Sequence, residues 1–235
     1  MSVTTEHIDI PQEPEPSSFR LISSLGIAGF FSGLLLVSAF IYTRPLIEAN
    51  KKEALRVAIF KVLPGCDSYS ALILIDNKLI KVSDTETDNN KSSEDAEAKQ
   101  IFAGFDSSGS LIGFAIPASE PGFQDIIGAI YGFEATKQII IGFEVLESKE
   151  TPGLGDKIFK DPDFKTNFIA LSVEPEIVGV KKNEKTSENE VETITGATIS
   201  SKAVIRMLNN SMEQWMEPIS IFMTETDITA QQSTK

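Results

Sequence analysis

A short stretch near residue 195 combines hydroxyl side chains with a glycine, immediately before a helical pattern. Residues 195–200 read Thr-Gly-Ala-Thr-Ile-Ser. We expect the Thr195 hydroxyl to cap the helix, and Gly196 permits a tight turn or the close approach of another group. A helix start presents unpaired N–H groups and the positive end of the helix dipole, which suit a phosphate. These residues predict either a capped helix start or a phosphate-binding corner. The stretch is not a P-loop, because no lysine follows the glycine at the spacing that a P-loop requires.

A second glycine-rich segment lies upstream. Residues 150–158 read Glu-Thr-Pro-Gly-Leu-Gly-Asp-Lys-Ile, a Pro-Gly turn followed by another glycine. Bare backbone at such a turn can lie against a flat ligand, and the alternative is an ordinary turn after a strand. We expect this segment and the corner at 195–200 to converge on one cleft.

The corner resembles the flavinylation motif of the FMN-binding domain family. That motif is Asp, two residues, Ser or Thr, Gly-Ala-Thr, any residue, and Ser or Thr, and this chain has Glu192 in place of the Asp. In the family the Thr after Gly-Ala carries FMN through a phosphoester bond, installed by a flavin transferase that uses FAD. The resemblance implies that Thr198 is the attachment residue. The other residues of the corner that it assigns to cofactor recognition are Thr195, Gly196, Ala197, Ile199 and Ser200.

The segment at 150–158 resembles the flavin-side loop of two branches of this family. They are the G subunits of Rnf electron-transport complexes and the C subunits of sodium-translocating NADH:quinone reductases, and the Asp-Lys-Ile continuation is more similar to the Rnf branch. Many relatives have His where this chain has Ser148. Phe123 lies where relatives have a Gly-aromatic loop, and it either approaches the flavin or plugs the core. The residues that the resemblance assigns to cofactor binding are Glu150, Thr151, Gly153 and Leu154.

The resemblance implies a function as well as a site. The implied function is that of a membrane-anchored electron-transfer subunit with covalent FMN, in an Rnf-type ion-translocating ferredoxin:NAD oxidoreductase complex. The resemblance implies an electron-carrier subunit rather than a stand-alone catalyst, and we assign the chain no catalytic residues and no metal ligands. Its partners would be other membrane subunits and, during maturation, the flavin transferase. The alternatives are the C subunit of a quinone reductase and an anchored binding or assembly module without flavin.

The composition limits what the side chains can do unaided. The 235 residues include one histidine, His7, and one cysteine, Cys66, and the net charge is −13. An internal disulfide, a Cys/His zinc cluster and a His-dependent triad in the folded part are therefore excluded. An acidic chain without a basic face is not expected to bind nucleic acid. Redox chemistry would have to come from a cofactor.

An apolar run near the N-terminus predicts one transmembrane helix over residues 20–43. Residues 21–43, between Arg20 and Arg44, contain no charged side chain. A helix of this length can span a bilayer. A cleaved signal peptide is the alternative, but the apolar run is too long for one and the preceding tail is acidic. We expect residues 1–19 to form a disordered tail. Basic residues after the helix favour a cytoplasmic domain, whereas the resemblance implies an inner-membrane protein with its FMN domain on the periplasmic side.

The remaining pattern predicts one α+β domain over residues 44–218, with an antiparallel sheet and packed helices. Helices are expected at 46–62, around 157–168, and from 199 to about 216, ending near Pro218. Polar segments at 83–100 and 181–190 predict loops, and residues 219–235 a polar tail. Strands are expected at 71–75, 79–82, 101–105, 111–116, 126–133, 138–146, 169–173 and 177–180.

Overall fold

In this computed structural model, residues 17–82 and 100–232 are described, with side chains up to residue 225. Two compact units make up the chain, residues 1–52 and residues 53–235. Nearly all of the predicted N-terminal tail and of the predicted acidic loop at 83–100 lies outside the described residues. Gln100, the last residue of that loop, begins a strand instead.

Helix α1, Ser18–Val62, contains the predicted apolar run. Within the described residues it is the one helix long and apolar enough to cross a membrane, judged by length and composition. Its large apolar side chains are exposed from Phe19 to Ile47. The helices expected at 20–43 and 46–62 are parts of one continuous helix, which passes through Pro45. Proline removes only one backbone hydrogen bond, and the residues on both sides favour helix.

Seven antiparallel strands form the main sheet, in the order β2-β1-β3-β4-β5-β6-β7. All lie within three residues of a predicted strand at both ends, except that β4 runs five residues longer and β7 contains only two residues. The strands are β1 Ser68–Ile75, β2 Lys78–Lys81, β3 Gln100–Phe105, β4 Leu111–Pro121, β5 Ile126–Glu134, β6 Ile139–Glu147 and β7 Leu171–Ser172.

Shorter elements connect the sheet to the C-terminal helix. Helices α2, Lys157–Lys160, and α3, Pro162–Thr166, confirm the short helical segment expected after the second loop. Strands β8, Val178–Val180, and β9, Glu190–Glu192, pair in parallel. The predicted loop at 181–190 therefore ends in a strand that the sequence pattern did not indicate. Three residues are too few for the alternation of apolar and polar side chains to be recognised.

Helix α4, Thr198–Gln232, passes through Pro218, so the predicted end of the helix near this proline is wrong. Packing explains why the helix continues. Trp215 and Ile219, on either side of the proline, are buried, and the ring of Phe222 lies edge-on to Phe114 with centroids 5.9 Å apart. Burial of these side chains offsets the hydrogen bond that proline lacks.

Within the unit formed by residues 53–235, both faces of the sheet are covered. Alternate residues of a strand point to opposite faces, so Ile130 packs with Ile59 and Val62 of α1, while Tyr131 packs with the cluster that includes α4. The buried Tyr131 hydroxyl donates to Ser211 Oγ on α4 at 2.8 Å.

Two facing glycines let the end of α1 lie directly on the sheet. Gly132 of β5 pairs with Gly142 of β6, and a Cβ on Gly132 would overlap the backbone carbonyl of Val62. Because the obstacle is backbone and not a flexible side chain, rotamer changes cannot relieve it. The close packing of α1 therefore depends on the missing side chains.

We expect Gly132→Ala to lower the free energy of unfolding by about 1–3 kcal/mol, the usual range for overpacking. Gly128→Ala, on the same strand, places its Cβ 3.7 Å from the nearest atom, an ordinary contact, and should change stability by less than about 0.5 kcal/mol. Denaturant or thermal unfolding of both variants in detergent measures the difference. Equal effects from the two substitutions would contradict the role assigned to Gly132.

Candidate functional site

Three segments of the chain meet at the carboxylate of Glu150. Its Oε1 accepts hydrogen bonds from the N–H groups of Phe123 at 2.9 Å and Gln124 at 3.0 Å. Its Oε2 accepts a hydrogen bond of 2.5 Å from the Ser200 hydroxyl in the first turn of α4. Glu150 is 5% exposed and Ser200 is 2% exposed. The predicted convergence of the two glycine-containing segments is confirmed by this contact.

The backbone at 194–197 forms a turn that leads into α4. Ala197 N–H donates to the carbonyl of Ile194 at 3.0 Å, and Gly196 has φ +84°, as the third position of a type II turn requires. The prediction that Thr195 caps the helix is wrong. A residue with the backbone of Gly196 cannot belong to a helix, so the helix begins only after it, at Thr198.

Ser201, which the sequence did not single out, holds this turn together. Its hydroxyl accepts from Ile194 N–H at 3.1 Å and donates to the Ala197 carbonyl at 2.9 Å. Its side chain is fully buried. Serine one turn into a helix is ordinarily neutral in sequence patterns, so no signal marked it.

The residues of the corner divide into exposed and buried groups. The exposed residues are Thr195, Gly196, Thr198 and Ile199, whereas Ala197 and Ser200 are buried. The Thr198 hydroxyl donates weakly, at 3.4 Å, to the Ile194 carbonyl. It therefore lies at the surface at the first residue of α4, where the helical N–H groups have no acceptor within the helix.

Residues 150–156 form a turn beside this corner. Gly153, with φ +79°, has no atom within 4 Å of a would-be Cβ, and Gly196 would meet only Leu154, at 3.8 Å. Leu154 is half exposed, and Thr151 donates to the side chain of Gln124 at 3.0 Å. Open backbone at both glycines therefore borders an exposed leucine.

Asp156 fixes the shape of that turn, although the sequence suggested no site role for it. Its Oδ1 accepts from Gly153 N–H at 2.8 Å, and its Oδ2 pairs with Lys160 at 2.6 Å. The residue is 4% exposed. The hydrogen bond from Lys160, together with that of Gly153 N–H, holds the pKa of Asp156 below its ordinary value despite desolvation.

Phe123 lies at the tip of the turn between β4 and β5 and is 65% exposed, so it is not a core plug. Glu120 anchors the same turn to α4, because its Oε1 pairs with Arg206 at 3.2 Å and its Oε2 accepts from Asn210 at 3.3 Å. The contacts of Glu120 join positions about 90 residues apart, which no local pattern in the sequence reveals.

Glu192, the acidic residue of the motif, forms hydrogen bonds with two residues that precede it in the sequence. Its Oε1 accepts from Asn183 N–H at 2.9 Å, and its own N–H donates to the side chain of Asn167 at 3.0 Å. Asn183 has φ +66°. The Glu192 side chain therefore stabilises the turn between β8 and β9.

Two opposing effects act on the pKa of Glu150. Desolvation by burial raises it, but the hydrogen bonds from the Ser200 hydroxyl and from the N–H groups of Gln124 and Phe123 together lower it below the ordinary value of 4.5. The net direction is downward, so the group is a carboxylate at neutral pH.

The site residues fit a flavin nucleotide. An accessible hydroxyl lies at a helix start, as a phosphoester requires, and Leu154, Ile199 and Phe123 supply exposed apolar surface for a flat ring system. The backbone of Gly153 and Gly196 is open on the same part of the domain. Covalent attachment at Thr198 stays a prediction, as does cofactor binding by the other corner and loop residues.

Comparison with known proteins defines the class to which this site belongs. Residues 122–213 match the FMN-binding domain family, which confirms the family indicated by the two motifs and FMN as its cofactor. The match includes both the turn around Glu150 and the corner before α4. Residues 122–213 of this chain therefore match an FMN-binding domain, and the fold that contains them is α+β.

Curated proteins with similar sequences include G subunits of ion-translocating complexes. The chain is 28% identical to the G subunit of the Na(+)-translocating ferredoxin:NAD(+) oxidoreductase complex of Acetobacterium woodii, over 83% of this chain and 92% of that protein. It is 25% identical to the G subunit of the ion-translocating oxidoreductase complex of Methanosarcina acetivorans, with the same coverage of both chains. These relatives agree with the Rnf branch expected from the sequence.

Solved structures show the same fold. NqrC of Shewanella oneidensis superposes with a TM-score of 0.57 at 18% identity, covering 77% of this chain and 99% of that one. The C subunit of the Na(+)-translocating NADH-quinone reductase of Parabacteroides distasonis gives 0.55 at 19% identity, covering 73% and 94%. At these identities the similarity concerns the fold alone.

The lowered pKa of Glu150 predicts how acid affects the domain. A carboxylate whose pKa is lowered by folding stabilises the native state fully above its unfolded value, and this contribution is lost as the pH falls through the folded value. We expect the melting temperature to be flat above about pH 5 and to fall below about pH 4.5. In Glu150→Gln the acid-dependent fall should be smaller, as measured by thermal unfolding from mildly acidic to neutral pH. An unchanged acid profile in this variant would contradict the assignment.

Proposed function

We propose that this chain is a membrane-anchored electron-transfer subunit that carries FMN in phosphoester linkage to Thr198. The observation that carries the proposal is the exposed Thr198 at the first residue of α4, held beside the Glu150 loop by the Ser200 contact. FMN supplies the electron-transfer chemistry when bound. The protein contributes the attachment point, the surrounding surface and the orientation.

The phosphate end of the cofactor would be stabilised by the helix start. The first N–H groups of α4 have no acceptor within the helix, and the positive end of the helix dipole favours an anion there. Thr198 Oγ1 is part of this first turn, so a phosphate esterified to it stays close to those groups. The ring system would lie towards the exposed side chains of Leu154 and Ile199 and the open backbone of Gly153.

A separate enzyme is needed to attach the cofactor. In the described part of the chain, the Thr198 hydroxyl donates to a backbone carbonyl, which is not a general base. Transfer of FMN from FAD would form the bond between Thr198 Oγ1 and phosphorus, break the pyrophosphate bond and release AMP. The threonine proton must pass to a base, and we assign that base to a flavin transferase partner.

The membrane anchor and the complex complete the proposal. Helix α1 would cross the membrane once, with the FMN domain on the extracytoplasmic side, and the chain would join other subunits of an Rnf-type ferredoxin:NAD oxidoreductase complex. The similarity to two G subunits over more than four-fifths of this chain supports that assignment. A covalent tether keeps the local flavin concentration independent of free FMN, which is useful where free cofactor would diffuse away.

Thr198→Ala should give a folded protein without covalent flavin, because no hydroxyl remains at the attachment position. Thr224→Ala is the matched control, since Thr224 is also exposed on α4 and its hydroxyl also donates to the carbonyl four residues earlier. After coexpression with a flavin transferase, in-gel fluorescence and intact mass should show FMN on the wild type and the control only. Flavin on the Thr198→Ala protein would refute the attachment site, and a wild type without added mass would favour the flavin-free module.

The position of the domain relative to the membrane can be tested with single cysteines. In a Cys66→Ser background, Ser107→Cys in the exposed turn between β3 and β4 should react with a membrane-impermeant maleimide in intact cells made permeable only at the outer membrane. Ser17→Cys, just before α1, should react only after the inner membrane is permeabilised. The reverse labelling pattern would place the domain in the cytoplasm, as the charge bias around the helix favours.

A further inference from the structure

The last residue of the flavinylation motif is buried, although the site is exposed. Ser200 is 2% exposed, whereas Thr198, two residues earlier, is at the surface. The Ser200 hydroxyl is directed to Glu150 Oε2. A side chain in this position is not accessible to an approaching protein in the folded domain, so its role has to be found inside the domain.

Glu150 is likewise turned inward. Both of its carboxylate oxygens are used within the protein, Oε1 by two backbone N–H groups and Oε2 by Ser200. Two glycines enclose the carboxylate, since a Cβ on Gly122 or Gly155 would overlap one of its oxygens. A carboxylate used in this way has little capacity left for a ligand.

The groups that meet at Glu150 belong to three different parts of the site. Ser200 is in the turn of α4 that carries Thr198. The amides of Phe123 and Gln124 are in the turn that exposes the Phe123 ring. Glu150 itself begins the loop that exposes Leu154. One buried side chain thus fixes the relative positions of three segments of the site.

We propose that Glu150 is a positioning residue that acts through Ser200 and through the amides of Phe123 and Gln124, and that it does not contact the flavin. The hydrogen bond between Glu150 and Ser200 joins the two sequence motifs of the site. Its effect is to hold the attachment hydroxyl at a fixed place relative to the apolar surface that receives the ring. This inference rests on the proposed attachment of FMN at Thr198.

The first test needs no cofactor. Amide hydrogen exchange of the peptide containing Phe123 and Gln124, measured on the full chain in detergent, reports whether Glu150 holds that turn. Hydrogen bonds to an ionised acceptor are stronger than those to a neutral one, so Glu150→Gln should speed exchange there about tenfold, which corresponds to about 1.4 kcal/mol. Glu213→Gln, an exposed residue on α4, removes the same charge and should leave the exchange unchanged. Unchanged exchange in Glu150→Gln would overturn the proposal.

Ser200→Ala separates positioning from direct contact. If Glu150 acts through Ser200, this substitution alone should reduce the visible circular dichroism of the attached flavin. The double variant with Glu150→Gln should then resemble Glu150→Gln alone, within about twofold, because the two residues act as one unit. Independent effects that multiply in the double variant, or a Ser200→Ala flavin identical to the wild type, would overturn the proposal.

A pH profile of the flavin signal completes the experiment. In the wild type the visible circular dichroism should fall as acid protonates Glu150. In Ser200→Ala the fall should move to higher pH, because a hydrogen bond that lowers the pKa of Glu150 is lost, and in Glu150→Gln it should be absent. A wild-type acid step that persists in Glu150→Gln would overturn the inference. A wild type that carries no flavin would instead refute the proposed function, while the exchange measurement would still test the positioning role.

Discussion

The hydrogen bond from Ser200 to Glu150 connects two segments that lie 50 residues apart in the sequence. The loop follows β6 and the corner opens α4, so each is attached to the sheet separately. Without the bond, the relative position of Leu154 and Thr198 would depend on two loops, which are the most mobile parts of a domain. Burying a carboxylate is costly, but one hydroxyl and two backbone N–H groups satisfy its oxygens. The buried carboxylate thus connects three separate segments of the site.

Much of the fold could be predicted from local patterns. Alternating apolar residues placed most strands of the sheet to within a few residues. The turn between β1 and β2 contains Asp76 and Asn77, residue types that tolerate the positive φ which both adopt. The errors lie where packing outweighs local preference. Pro218 would end an isolated helix, but Trp215 and Ile219 are buried and the helix continues. The short parallel pair β8 and β9 left no periodic signal.

The candidate site could likewise be predicted only in part. Its location could be predicted because two motifs carry recognisable strings of small and hydroxyl residues. Its internal contacts could not, because Ser201, Asp156 and Glu120 act through partners chosen by the tertiary fold. Thr195 shows the limit most clearly. Its hydroxyl suits a helix cap, yet the positive φ of Gly196 moves the helix start to a later residue.

The facing glycines beneath α1 have a consequence for how this domain can evolve. At Gly132 an added methyl group would collide with the main chain of Val62, which every amino acid at position 62 would share. No second-site suppressor can therefore arise by trimming the opposing side chain. A larger residue can replace Gly132 only if the C-terminal end of α1 moves away from the sheet. We therefore expect this glycine to be retained in homologous sequences even where the surface loops have diverged.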